Sequence, residues 1–513
     1  MSRGNLPVII GIGEVCESVP KNIEAAHSIV DICTIAAENA CRNVHSDRFS
    51  AKAINAIATT RPVTEYVQGY THSFGAVKNL PRAVGRRLDC DPELAVYSQP
   101  SGTSPQVLIN EFSSRIASEE FDFALIVGGE VTANVRAAHK TGTSLNWADD
   151  TGGQLEDRGF PPPGVYYTSQ EVQNDLFPAI IIYSLLENAR RHNLNLSRSE
   201  NANKIGELFH PFSKVAAVNP TSMFRKEFSA NEIACPTESN YQLSDPYTKA
   251  MVAQDRVNQA CAIILTSENK ARSLGIDESS WIYLHGYCNL LERVLLERKD
   301  PAVSPAMALA YQTALRRTGI DQQDLGYLDL YSCFPIAVFN ACDALGIGPN
   351  DPRGLTITGG LPFFGGAGNS YSLFGISGIV RALRKDPEAY GLVGTNGYFL
   401  SRHCVGIYSN KRPHCNWQDF DDTAHQQRLD AEPTAEIENK PVGEAEIVTY
   451  TVLFKKGKPL RGVIMGKMIE NGAVFLADTY PNDLETPAKM LDIEPIGKKI
   501  WTTSDGTRNR FRF

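Results

Sequence analysis

The sequence predicts an α/β protein built from two similar halves, interrupted by a loop domain and followed by a small antiparallel β-barrel. Three observations predict it. Apolar, β-branched runs such as Pro7–Val15 (PVIIGIGEV) and Phe121–Gly128 (FDFALIVG) alternate with stretches of helical spacing. The order strand, helix, strand, strand, helix, strand occurs once in residues 1–130 and again in 246–409. Residues 441–513 then change to short alternating strands separated by turn signals.

In chain order, the strand at Pro7–Val15 leads into an amphipathic helix over Ile23–Val44, with Ala26, Ile29, Val30, Cys33, Ala37 and Ala40 on one face. Strands follow at Ile54–Thr60 and Leu94–Ser98, a helix at Pro105–Ser118, and the strand at Phe121–Gly128. Alternation of this kind implies a mostly parallel sheet covered on both sides. Residues 131–245 are rich in Gly, Pro, Asn and Asp, including Pro161–Pro163, and read as an inserted domain of short or isolated helices. Regular structure resumes with strands at Val257–Thr266 and Trp281–Cys288, a helix at Ser304–Arg317, a strand at Gly326–Ser332 and a helix at Ile336–Leu345. A helix at Ser372–Lys385 and strands at Tyr390–Thr395 and Val405–Ser409 complete the second half. The polar stretch 410–440 reads as a linker, which predicts that the body folds without the barrel. Beyond it, Gly443–Phe454, Gly462–Ile469 and Val474–Asp478 are strands joined at Lys455-Lys456-Gly457 and Asn471-Gly472, similar to an oligonucleotide/oligosaccharide-binding barrel.

Composition narrows the function. A chain of 513 residues exceeds one hydrophobic core, and 42% hydrophobic with 21% charged residues is ordinary for a globular protein. A formal net charge of -8 argues against general nucleic-acid binding, and the basic tail residues lack an interleaved aromatic platform. The 11 cysteines, from Cys16 to Cys415, form no C-x-x-C pair and read as reduced intracellular thiols. No metal-ligand spacing is present, and no apolar run approaches the ~18 residues that cross a membrane. The start of the chain does not read as a signal peptide and its end is not Ser-Lys-Leu, so a cytoplasmic location is expected.

Three segments carry chemistry. Ser98–Gln106 (SQPSGTSPQ) lies between a strand and a helix, and Val127–Glu130 (VGGE) follows the next strand. Leu330–Pro335 (LYSCFP) ends a strand before a helix. Gly359–Tyr371 (GGLPFFGGAGNSY) is a glycine-rich run suited to positive φ and close backbone approach, and it is not a phosphate loop.

Together these segments resemble the thiolase superfamily, sterol-carrier-protein-type thiolases above all, and the whole chain resembles thiolase-like proteins with an extra C-terminal domain. The resemblance implies a duplicated thiolase fold, two βαβαβ-type halves in a five-layer α/β sandwich, and a coenzyme A thioester as substrate or ligand with no permanently bound cofactor. Thiolases carry C-x-S/T-G at the first segment. Here Gln99 takes the place of the nucleophilic cysteine, while Ser101 and Gly102 keep the rest. The sterol-carrier type carries H-D-C-F at the second, so Tyr331 replaces the His, Ser332 the acid, and Cys333 is the implied acid/base. At the third, G-G-x-x-x-x-G-H-P-x-G places Gly366 at the oxyanion-stabilising His and Asn369 at the final Gly. The last signature, C-x-G, falls at Thr395-Asn396-Gly397 without a cysteine.

Cys333, His403 and Tyr331 are therefore the catalytic candidates, and Gln99, Ser101, Gly102, Gly366, Asn369 and Tyr247 the candidates for holding the thioester. A Cys333–His403 pair would activate the thiol, although His403 and Cys404, adjacent on a strand, point to opposite faces. Lys214, Arg225 and Lys226 are candidates for the nucleotide phosphates of coenzyme A, or solvated surface. Three readings stay open: an acyltransferase-type enzyme without the usual nucleophile, a non-catalytic binder of coenzyme A esters, and a scaffold acting through its barrel. Monomer and homodimer are both expected states.

Overall fold

The computed structural model describes residues 6–162, 164–176, 178–414 and 420–513. Cys415 and Pro163, named above, lie outside the described residues. Ten strands make one sheet: β1 (Pro7–Cys16), β2 (Ala56–Thr59), β3 (Leu94–Tyr97), β4 (Phe123–Glu130), β5 (Glu156–Asp157), β6 (Gln259–Ser267), β7 (Ile282–Leu291), β8 (Leu325–Leu330), β9 (Tyr390–Gly397) and β10 (Arg402–Ser409). Their order is β5-β3-β2-β4-β6-β1-β7-β10-β9-β8. Outward from the β1–β7 seam, the run β1, β6, β4, β2 repeats as β7, β10, β9, β8 with the same strand directions, so the duplication is one of topology. The sheet is mixed and not mostly parallel as expected. β6 returns from the inserted region and β10 from a tight hairpin, and neither arrives by a crossover helix, so both lie antiparallel to their neighbours.

Helices α1 (Ile29–Arg42), α2 (Leu80–Arg87), α3 (Ser104–Ala117) and α4 (Thr132–Thr141) belong to the first half. The first begins later than periodicity suggests, because Ser28 and Asp31 close a capping box there. After α5 (Ser169–Gln173), α6 (Ala179–Asn193), α7 (Arg198–Val218), α8 (Ala230–Ala234) and α9 (Glu268–Ser273), the second half adds α10 (Pro305–Thr318), α11 (Pro335–Leu345) and α12 (Tyr371–Leu383). α3 and α12 each touch strands of both halves, α1 and α2 cover the first half from outside, and α10 covers the second. Strand alternation divides the core accordingly. Leu125 and Val127 of β4 join α1, whereas Ala124 and Ile126 join α3 and α12. Strands buried on both faces are apolar throughout, which is why they read as unbroken runs. The glycines of β1 serve contact: a Cβ on Gly13 would sit 2.1 Å from the Ala36 carbonyl of α1.

The inserted region holds two long helices where short ones were expected. Ile181 and Leu185 of α6, and Ile205, Leu208, Phe209 and Phe212 of α7, do follow helical spacing and are buried, but polar neighbours and Pro211 inside α7 mask the pattern. Helix α13 (Thr423–Asp430) lies within the polar stretch and contacts α10 and β7.

The last region is a closed barrel, β11-β12-β13-β15-β14, from β11 (Gly443–Lys455), β12 (Lys458–Met468), β13 (Val474–Asp478), β14 (Lys499–Ser504) and β15 (Asn509–Arg512), with α14 (Glu485–Asp492) packed on it. One pair, β13 with β15, is parallel. Lys456 and Gly457 have φ of 50° and 72°, the two positive values of a type I′ turn. Inside lie Ile464, Phe475 and Ala477; on the outside Val463, Met465, Val474 and Leu476 enter the main core beside α6. Asn188 of α6 donates to the carbonyls of Asp245 and Tyr450 at 2.9 and 3.0 Å, and Tyr450 donates its hydroxyl to Asp245 at 2.7 Å.

The barrel is thus a wall of the main core. A chain ending at residue 440 is expected to expose the apolar face of α6 and to aggregate, read by sedimentation after expression, in contrast to the separable body that the polar stretch suggests. A soluble truncated chain with native near-ultraviolet dichroism would show that the contact is dispensable.

Candidate functional site

The strand ends of both halves meet where the three chemistry-bearing segments converge. Close packing forces the contact. A Cβ on Gly102 would stand 2.5 Å from the Tyr331 hydroxyl and 2.3 Å from the Asn396 carbonyl. A Cβ on Gly397 would stand 2.2 Å from Ser101 Oγ. Ser372 of α12 donates to the Gly102 carbonyl at 2.7 Å, so the central helices hold the junction shut.

Cys333 sits at this junction, partly exposed. Asn396 Nδ2 donates to its Sγ at 3.6 Å and to the Tyr183 hydroxyl at 2.8 Å. Tyr183, from α6, also accepts from the Leu400 N–H and donates to the Tyr398 carbonyl, both at 3.1 Å. It thereby fixes a turn in which Tyr398 and Leu400 have φ of 54° and 58°, left-handed values costing about 1–2 kcal/mol each for residues with a side chain. Burial pushes the Cys333 thiol up to about 12, against smaller opposing effects of Tyr183 and Asn396. The group is a thiol at neutral pH, a proton donor and not a thiolate. Tyr331 packs edge-to-face on Tyr371 at 5.5 Å, and burial raises its pKa as well.

The other candidates divide. Gln99 Nε2 donates to the Arg158 carbonyl at 3.2 Å, and Ser101 Oγ bonds Thr103 Oγ1 at 2.8 Å. Gly366 donates its N–H to the Gln254 carbonyl at 2.7 Å, next to Ala253, whose N–H is bonded to the Cys333 carbonyl. Asn369 spends its amide on the Arg61 carbonyl and the Tyr66 hydroxyl, at 2.6 and 2.8 Å. Tyr247 is sealed in the core, its hydroxyl bonded to Glu187 Oε2 at 3.0 Å. His403 does not pair with Cys333. It is fully buried and its Nε2 bonds Ser304 Oγ at 3.1 Å, the same hydroxyl donating to Glu292 at 2.8 Å. Burial, reinforced by Arg298, holds its imidazole down at about 3. Cys404 points the other way, accepting from Asn110 of α3 at 3.4 Å, as strand alternation requires.

Sequence reasoning missed Asn396 as a thiol partner and Tyr183 altogether. Asn396 stood within the last signature, Thr395-Asn396-Gly397, but no motif marks Tyr183. Phe160 and Tyr166, also unforeseen, cover the junction: Tyr166 stacks on Tyr398 at 3.6 Å, and Phe160 meets Tyr66 edge-on at 5.5 Å. Lys214, Arg225 and Lys226 are exposed near the glycine-rich run, which the Met223 N–H bonds at Phe364 with a 2.8 Å contact. Lys214 stands 3.8 Å from Glu227, and Lys226 lies 4.4 Å above the Phe228 ring. Among the described residues no group of His, Cys, Asp and Glu is arranged to hold a metal ion, and no helix is long and apolar enough to cross a membrane.

Residues 425–507 match the additional C-terminal domain of thiolase-like protein type 1. Over 100% of both chains the protein is 38% identical to a monomeric SCP2-thiolase-like protein type 1 from Mycobacterium smegmatis, with a TM-score of 0.84. The chain belongs to the SCP2-thiolase-like proteins of type 1. The wider thiolase fold is shared with human mitochondrial 3-ketoacyl-CoA thiolase in complex with CoA, at 14% identity over 80% of this chain and 99% of that one, TM-score 0.54. The Ltp2-ChsH2(DUF35) aldolase is also similar, at 14% identity over 80% and 99%, TM-score 0.56. No curated protein matches in sequence. In this SCP2-thiolase-like chain the duplicated fold and the barrel accompany a junction organised around the Cys333 thiol, Asn396, Tyr183 and Tyr331.

Two predictions follow from this geometry. Gly102→Ala drives a methyl group into Tyr331 and Asn396 and is expected to cost about 1–3 kcal/mol in urea unfolding, whereas Gly366→Ala, with 3.3 Å to its nearest neighbour, costs less. Because the His403 pKa is lower folded than unfolded, its contribution is full above about 6.5 and is lost as pH falls towards 3. The unfolding free energy from urea titrations should therefore fall below pH 6.5 by about 1.4 kcal/mol per pH unit more in the wild type than in His403→Gln.

Proposed function

We propose that this chain binds a coenzyme A thioester at the junction of its two halves, forms no acyl-enzyme, and uses the Cys333 thiol as an acid/base beside the ligand. The observation that carries this reading is the pairing of a protonated, amide-bonded thiol with a nucleophile position whose amide is tied to the Arg158 carbonyl. Acyl transfer through a covalent intermediate requires a thiolate at position 99 and a donor for the developing oxyanion. Gln99 and Gly366 supply neither. Non-covalent chemistry at Cα requires only a proton donor and acceptor near the thioester. That the Ltp2-ChsH2(DUF35) aldolase shares this fold supports the view that the fold is not confined to acyl transfer. Tyr331, beside the thiol and protonated, supplies a second hydrogen-bond donor.

We also infer that the chain is a monomer, as its relative from Mycobacterium smegmatis is described. The outer edge of β3 is occupied by β5, held by an ion pair from Arg61 to Asp157 and by Arg158 to Glu111 at 2.6 Å. Light scattering should report one species near 56.3 kDa across a hundredfold range of concentration.

The chemistry is tested by comparing wild type, Gln99→Cys and Cys333→Ala with a panel of acyl-CoA esters. All three are expected to gain melting temperature at millimolar ligand, and intact mass should show no acyl adduct on the wild type. Gln99→Cys should not release coenzyme A catalytically, since losing an oxyanion donor costs on the order of a hundredfold or more. Cys333→Ala should lose turnover while keeping affinity, as a group acting in the transition state does. Absence of any thermal shift would refute the reading, and equal rates for wild type and Cys333→Ala would leave a binding protein.

A further inference from the structure

A cleft of about 760 Å³ opens away from the thiol junction, between the segment after β7, the first turns of α10 and the 426–433 stretch, a size typical of small-molecule sites. Its aliphatic lining, Val294, Leu309 and Leu429 joined by Val303 and Val165, which are 47% and 37% exposed, is interleaved with charged residues. Aliphatic side chains left open at a concave site point to an apolar occupant.

The charges around the cleft are unequal in what they do. Glu292 is fully engaged, accepting from the N–H groups of Arg293 and Ala306 and from the Ser304 hydroxyl. Asp300 likewise accepts from Asn193 and the Ala302 N–H. Glu297, 3.9 Å from Arg293, Asp430, which accepts from Gln426, and Glu432 are further acids of the lining. Against these, Arg316 bonds only the Thr313 hydroxyl, and neither it nor Arg428 joins an ion pair among the described residues. Arg298, 4% exposed, gives its Nε and Nη2 to backbone carbonyls of Arg293, Phe399 and Leu400, and its Nη1 has no partner among the described residues. A buried guanidinium N–H without an acceptor is costly, and the carboxylates of Glu292 and Glu171 offset part of this charge.

We propose that this cleft is a ligand site in its own right, taking an aliphatic chain that ends in a single carboxylate. The chain lies along α10 and Val303, and the carboxylate meets the Arg316, Arg428 and Arg298 side of the rim. The site does not depend on coenzyme A binding, so it stands or falls apart from the reading above.

Calorimetric titration with sodium dodecanoate and with dodecanol, both below their aggregation concentrations, tests it on the full chain. Dodecanoate is expected to bind once per chain. Ala308→Trp and Val303→Trp, the second at an exposed position that leaves the core intact, should each weaken it at least tenfold with the melting temperature preserved. The double variant Arg316→Ala, Arg428→Ala should weaken dodecanoate several-fold and leave dodecanol unchanged. Absence of saturable one-to-one binding, unchanged affinity in both tryptophan variants, or dodecanol binding as tight as dodecanoate would each overturn the proposal.

Discussion

Burial of the sheet on both faces is the constraint from which the rest of this architecture follows. A strand with an apolar neighbour above and below cannot expose either side, so each half must be covered by two helix layers. The two halves economise by sharing one: α3 and α12 lie between them and touch strands of both. Direct strand pairing across the seam is slight, only Val8 with Tyr283 and Ile9 with Ile282. The shared helices therefore hold the halves in register, and they also set the site, because the turn before α3 and the start of α12 meet at Gly102 and Ser372.

That arrangement explains what was legible in the sequence. The strands of the body stand out as apolar runs because both faces are buried, and the glycine turns at Lys456-Gly457 and Asn471-Gly472 mark the barrel's first hairpins through backbone chemistry alone. The order of the three motifs located the junction, since each lies at the end of a strand that the fold brings to one place. Strand direction was not legible. Whether β6 and β10 run parallel or antiparallel depends on how the chain returns to the sheet, and no local residue pattern records that. The long helices of the inserted region carried the right spacing but lay among prolines and polar residues that suggested loops.

Side-chain partnerships were harder still. Cys333 and His403 are each placed correctly near strand ends, yet one faces Asn396 and Tyr183 while the other is enclosed by Ser304 and Arg298. Proximity of motifs fixes the neighbourhood of a residue; which neighbour it bonds depends on packing from α6 and α10, elements separated from it by about 100 to 150 residues of chain. The same holds for the barrel. Its inward residues were readable as alternation, whereas Val463, Met465, Val474 and Leu476 read as the second face of a free-standing strand and belong instead to the main core.

The two-residue strand β5 has an effect out of proportion to its length. It occupies the backbone groups of β3 that would otherwise be open to another strand, and an exposed sheet edge is the ordinary route by which sheets add a neighbouring chain. With that route filled from within, β3 itself offers those backbone groups to no neighbouring chain. For the monomer proposed above, ligand saturation would follow a simple hyperbola, without the steepness or the half-filled states that paired subunits permit. In such a monomer regulation would act within one polypeptide, for instance through the turn that Tyr183 and Arg298 both hold at Leu400.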